Sequence, residues 1–226
     1  MSARPELMRI RMGKVLLATG ILASLFACSA QPPVPEDHFY RLPAAQLTTG
    51  EIAVGSELAV KRLVTDGLHS ERALLFSETG QALRLQQYHY HHWSDSPPRM
   101  LQEHLISALR SAGVADTVMN YDPVQRSAYT LSGKIRHFEQ IERGKRSEVL
   151  VGLELRLDDN EGKPVLIKDY HVTQAANSTA PHDLVEAFGM ALNKVYSEFV
   201  SDWAKKQSAV DKTAVIYHAV THCQVG

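Results

Sequence analysis

Cysteine is nearly absent from these 226 residues, occurring only at Cys28 and Cys223. Two such positions cannot build a disulfide framework or a four-cysteine metal site, so stability has to come from an apolar core. A spanning helix needs about 20 consecutive apolar residues, and the run Val15–Ala27 is too short for one. An excess of basic charge is missing as well: Lys and Arg number 24 against 25 Asp and Glu, with a net charge of -1. With no basic cluster, nothing favours nucleic acid. Also lacking are a Gly-x-Ser-x-Gly elbow, a His-Glu-x-x-His pair and a phosphate-cradling Gly-x-x-x-x-Gly-Lys, which removes the common hydrolase, zinc-protease and nucleotide-binding templates.

What is present starts at the N-terminus. Arg4, Arg9, Arg11 and Lys14 precede the apolar run Val15–Ala27, which ends at Cys28. Basic region, apolar region and a small residue before a cut make a removable export signal. Its ending, Leu25-Phe26-Ala27-Cys28, resembles the lipobox of bacterial lipoprotein precursors, with Phe26 bulkier than usual. The resemblance implies that Cys28 becomes the acylated first residue and that Ser29, not being aspartate, directs the chain to the outer membrane. An ordinary secretory signal with a chance cysteine shares the first part of this pattern, and in both readings the mature chain is exported. Removing the 27-residue leader leaves 199 residues, with 20 Lys+Arg against 24 Asp+Glu.

The expected organisation is a signal over 1–27, an extended Pro-rich tether over 28–38, one folded domain over 39–206 and a tail over 207–226. "VLVGLELRLDD" alternates apolar and polar positions from Val149 to Leu157, the pattern of a strand with one buried face. "AYTLSGKI" alternates before it, with a phase slip near His137-Phe138 that predicts a bulge, and a third strand is expected over 165–173. These three make an antiparallel meander. Shorter strands are expected at 52–54, 73–76, 83–90 and 117–119. One helix should start after Ser96, with Pro97 and Pro98 in its first turn, and close at Gly113. A second should run from Pro181 to Trp203 on a Leu184, Phe188, Ala191, Leu192, Val195, Phe199 stripe. The fold class is α+β: a largely antiparallel sheet with two helices packed on one face. The tail carries no capping or turn signal and is left unassigned, a short strand being one option.

The most conspicuous local feature is "YHYHHW" at 88–93. Strand alternation would put Tyr88, Tyr90 and His92 on one side and His89, His91 and Trp93 on the other. Only His89 and His91 could then share a metal, with Asp95 the nearest carboxylate. Two readings stand beside each other: a His-x-His chelate completed by a distant ligand, or an amphipathic strand end with solvated histidines. The second is preferred, so no metal and no cofactor are expected. Pairs such as Asp169 with His171, or His182 with Asp183, could be combined with a serine only on paper, and the chain is read as non-enzymatic.

"HFYRL", "IAV" at 52–54, "ERALLFS" at 71–77, "YHYHHWSDSPPRMLQEHLISALRSAG" and "AYTLSGKIRHFE", in this order behind a lipobox, resemble the ABC-type transport auxiliary lipoprotein component family. The likeness covers roughly 39–199. It implies an outer-membrane lipoprotein facing the periplasm beside an ABC permease, its ATPase and an MCE-type lipid-binding protein, moving phospholipids or other hydrophobic molecules between two membranes. Self-association is compatible with it. No catalytic residue carries over, and Tyr88, Tyr90 and Trp93 are the candidate partner contacts. The alternative is a structural or assembly lipoprotein that does not handle lipid.

Overall fold

The computed structural model describes residues 34–47, 56–81, 83–144 and 146–222, with side chains as far as residue 208. The folded unit begins at Asp37. Its elements are β1 (His38–Tyr40), β2 (Glu57–Val60), β3 (Val64–Thr65), a 3-10 turn (Gly67–Ser70), β4 (Ala73–Glu78), β5 (Gln86–Trp93), α1 (Pro97–Ser111), β6 (Thr117–Asn120), β7 (Tyr129–Arg143), β8 (Arg146–Asp159), β9 (Pro164–Ala175) and α2 (Pro181–His222).

The spine is β7. One of its edges pairs along its whole length with β8, antiparallel from Tyr129↔Asp159 to Arg143↔Arg146, and β8 pairs antiparallel with β9. The expected meander is therefore present. The other edge of β7 takes three short strands in succession, all parallel: β2 at Tyr129–Leu131, β3 at Lys134–Ile135 and β4 at Gln140–Glu142. Beyond β2 lies β6, also parallel, and beyond β4 lie β5 and then β1, antiparallel and parallel respectively. The sheet is thus mixed, and the expectation of a largely antiparallel sheet is corrected. Local alternation records only which face is buried, whereas strand direction here is set by crossovers far apart in sequence.

Of the expected minor strands, 73–76 and 117–119 lie within β4 and β6, and 83–90 is displaced to β5. Leu83 lies outside it and is fully exposed. The segment 52–54 falls outside the described residues. The phase slip is a bulge: Ile135↔Leu153 is followed by His137↔Gly152, leaving Arg136 as the extra residue. After it the alternation changes phase, so that Phe138 enters the core that Leu131 and Ile135 already line.

Helix α1 starts as its two prolines require. Ser96 stands at the N-cap in extended conformation without a side-chain cap bond, and its carbonyl instead accepts from the N–H groups of Arg99 and Met100. It stops at Gly113, whose φ of 60° allows Gly113 N–H to reach Arg110 O and Val114 N–H to reach Leu109 O, the paired bonds of a Schellman motif. Helix α2 runs on to His222, so the stretch left unassigned as a tail continues the helix. Leu101, Leu105 and Leu109 of α1 and Leu184, Phe188, Leu192, Val195, Phe199 and Trp203 of α2 join the inward residues of β7 and β8 in one buried cluster. None of the described helices is long and apolar enough to cross a membrane.

Candidate functional site

Cys28 and Ser29 lie outside the described residues. The candidate contact residues lie where β1 docks in parallel on β5, with His38↔His91, Phe39↔His92 and Tyr40↔Trp93 in register. Across β5 the pairing with β4 jumps from Ala73↔His92 to Leu75↔Gln87. Four residues of β5, 88–91, therefore face one residue of β4. This wide bulge overturns the simple alternation expected for "YHYHHW". Tyr88 and His91, three apart, meet edge to face with ring centroids 5.5 Å apart, and His91 also stacks on His38 at 5.2 Å.

His91 and His89 consequently have different surroundings. His91 Nδ1 is 2.9 Å from the Tyr40 hydroxyl, and burial, then the neighbouring His38 and His92, lower its pKa. His89 is exposed beside Tyr90. Among the described residues, no three His, Cys or carboxylate groups are arranged to hold a metal ion.

The three aromatics divide as well. Trp93 is 1% exposed and packs against Phe138 and Phe188, so it is a core residue and supplies no surface. It closes β5 beyond the bulge. Tyr88 is half-buried and donates to Gln140 Oε1 at 2.7 Å; burial, then the charge of Glu142, raises its pKa. Tyr90 is 45% exposed, and Phe39 on the neighbouring strand is 57% exposed with the Arg72 guanidinium over its ring. Of the expected contact set, Tyr90 alone is exposed, and Phe39 was missed because "HFYRL" offers no signal for which ring faces out.

Of the residues that could have been combined into an acid–base site, His182 and Asp183 each have another partner. The Ser178 hydroxyl donates to Asp183, and His182 Nε2 lies 3.2 Å from Glu186, one helical turn on. Asp169 and His171 share the outer face of β9, opposite Glu154 and Gly152, and no hydrogen bond joins them among the described residues.

A polar constellation not anticipated from the sequence sits on the same outer face, built by the β7 bulge. Glu139 is 7% exposed, and its carboxylate accepts from His69 Nε2 at 2.9 Å, His137 Nδ1 at 2.9 Å and the Phe138 N–H at 2.6 Å. Burial alone would raise its pKa, but the bonds from His69 and His137 outweigh this and hold it below the usual carboxylate range. His137 and His171 flank Gly152, where a side chain would meet both rings. The constellation ties the 3-10 turn to the sheet. Replacing Glu139 by Gln leaves one acceptor oxygen for three donors, at an expected cost of about 1–3 kcal/mol in urea unfolding at pH 7. Because the folded pKa is lowered, this stabilisation is present above the unfolded value, about 4.3, and is lost as pH falls through the folded one. The gap between wild type and Glu139→Gln should therefore close in acid.

An open cavity of about 660 Å³ at the other end of the sheet is lined by Glu57, Lys61, Tyr121, Arg126, Asp158 and Asn160, among others. Lys61 Nζ lies 4.6 Å from the Tyr121 ring centroid. Charged walls of both signs suit polar groups and would not favour an acyl chain.

The fold has known counterparts. The chain superposes on the crystal structure of protein XCC0632 from Xanthomonas campestris with a TM-score of 0.66 at 20% identity, covering 77% of this chain and 99% of that one. A second crystal structure, of an uncharacterized protein, gives 0.60 at 14% identity over 74% and 98%. In sequence it is 25% identical over 158 residues to the uncharacterized protein bll6063 of Bradyrhizobium diazoefficiens, covering 70% of this chain and 40% of the relative, so the match spans less than half of that protein. Residues 40–199, from the end of β1 to the last buried turns of α2, match the ABC-type transport auxiliary lipoprotein component, and the chain belongs to that family.

Proposed function

We propose that this chain is a lipid-anchored, non-catalytic auxiliary component of an ABC transport system of the MCE type, which moves phospholipids or other hydrophobic molecules between the inner and outer membranes. The observation that carries this reading is family membership over 40–199 behind the lipobox-like Leu25-Phe26-Ala27-Cys28. Cys28 bears the acyl chains, and Ser29 directs the protein to the outer membrane, facing the periplasm. A tethered domain searches for its partner only near the membrane, so its effective concentration reaches the millimolar range and a modest interface stays occupied. Tyr90 and Phe39 are the contact residues of choice, because exposed aromatic rings bury large areas at little rotamer cost and dominate interface hot spots. Asp183 and Glu139, two carboxylates near histidines, are bound into structural pairs, which supports a role in binding.

A photo-crosslinking residue placed at Tyr90 in intact cells tests this. The expected result is capture of an MCE-type protein or its permease complex from position 90, with none from Ile167, which is equally open to solvent on β9. Recovery of no transport component, with unchanged envelope lipid distribution in a deletion strain, would favour an assembly lipoprotein that does not handle lipid.

A further inference from the structure

We propose that Arg41–Leu47, the segment leaving β1, is a releasable clasp laid across the two helices and latched by His104. The segment has no regular secondary structure, so no sheet ladder or helix holds it. It is held at three points. Pro43 sits in a notch at Gly189 of α2, where a Cβ would come within 2.3 Å of Pro43 Cγ. His104 of α1 donates from Nε2 to the Pro43 carbonyl at 2.9 Å. The Gln46 N–H donates to Asn193 Oδ1 of α2 at 3.1 Å. Leu42, Ala45 and Leu47 rest half-buried on the core. An attachment made of so few bonds lies at the low end of local stability in a folded domain.

The latch holds best with a neutral imidazole. His104 Nδ1 lies 3.3 Å from the hydroxyl of Tyr196, whose side chain is fully buried and has no other hydrogen-bond partner among the described residues. In the neutral ring Nε2–H serves Pro43 and Nδ1 accepts from Tyr196, so every polar atom is satisfied. Protonation turns Nδ1 into a donor aimed at the Tyr196 oxygen and strands the hydroxyl hydrogen in the core. Burial disfavours the charged ring and outweighs the Pro43 carbonyl that favours it, so the pKa is lowered. The groups facing the ring are Tyr196 from α2 and the Pro43 carbonyl from the clasp; no charged side chain contributes to its shift.

In the released state His104 meets water and regains an ordinary pKa of about 6.5. Clasp closure is then strongest above that value and weakens about tenfold per pH unit as pH falls from there to the lowered one. Release bares the groove that contains Gly189, Asn193 and Tyr196, and it frees slack chain after β1. This inference stands apart from the lipid-transport reading and does not depend on what is transported.

Hydrogen exchange at the Gln46 amide of the full chain, corrected for intrinsic rates, reports closure directly, and the Leu153 amide in β8 reports global unfolding. Between pH 7.5 and 5.0, Gln46 protection should fall relative to Leu153, and by clearly more than in a variant without a titratable group at position 104. In His104→Gln, whose amide can still donate to Pro43 and does not titrate, it should change less than about twofold. In Gly189→Val it should be lost at both pH values. Unchanged wild-type protection, or an equal fall in His104→Gln, would overturn the proposal, and that comparison decides even if Gly189→Val does not fold.

Discussion

Trp93→Ala is expected to cost about 3–5 kcal/mol of folding stability, the range for a large aromatic removed from a packed core. For a chain of this length that corresponds to a fall in Tm of roughly 6–20 °C. Trp93 is 1% exposed and touches Phe138 of β7 and Phe188 of α2, so its loss opens a void between the sheet and α2. Tyr90→Ala, three residues earlier in the same strand, should cost far less, on the order of 1 kcal/mol or below, because its ring is 45% exposed and outside the core. Urea or thermal unfolding of both variants separates the two roles. A small loss for Trp93→Ala would show that the ring is not part of the core. If Tyr90→Ala weakens partner capture while Trp93→Ala acts only through folding, the contact surface lies on the solvent side of β5.

The second large effect concerns Cys28. Cys28→Ser should abolish incorporation of labelled fatty acid, block removal of the leader by the lipoprotein-specific signal peptidase, and leave the chain without the acyl anchors proposed for it. One chain alone binds a membrane marginally, with association constants on the order of 10⁴ M⁻¹, whereas two or more hold a protein stably. Nothing in the described part of the fold offers a substitute helix. Equal labelling of wild type and variant would rule out Cys28 as the attachment point. Fractionation of the native chain tests its destination separately, and recovery only with the inner membrane would mean that Ser29 does not direct sorting as proposed.

The β7 and β8 pair is legible in the amino-acid order because its turn is short and both strands alternate over many residues. Even its bulge shows there, since one extra residue inverts the buried face beyond it, and the apolar positions record that inversion at His137-Phe138. The two helices are equally plain, from Ser96, Gly113 and the α2 stripe. At 88–91 the same logic fails. There the wide bulge against β4 leaves no apolar periodicity in a run made only of tyrosine and histidine, so the faces assigned by simple alternation were wrong. Glu139 escaped notice for a related reason: its partners His69 and His137 come from a separate turn and from the bulge itself, and no spacing along the chain announces that meeting.

By itself, then, the amino-acid order determined the family motifs, the meander, the two helices and the α+β class of the fold. These depend on contacts between residues near one another in the chain, or on a face that must be apolar whatever it packs against. Only the tertiary structure decided the parallel docking of β2, β3 and β4 along one edge of β7, the burial of Trp93 and the exposure of Tyr90, and the meeting of Pro43, His104 and Gly189. Each of these is a pairing across many tens of residues, and its partner is selected by how the whole sheet closes over α1 and α2.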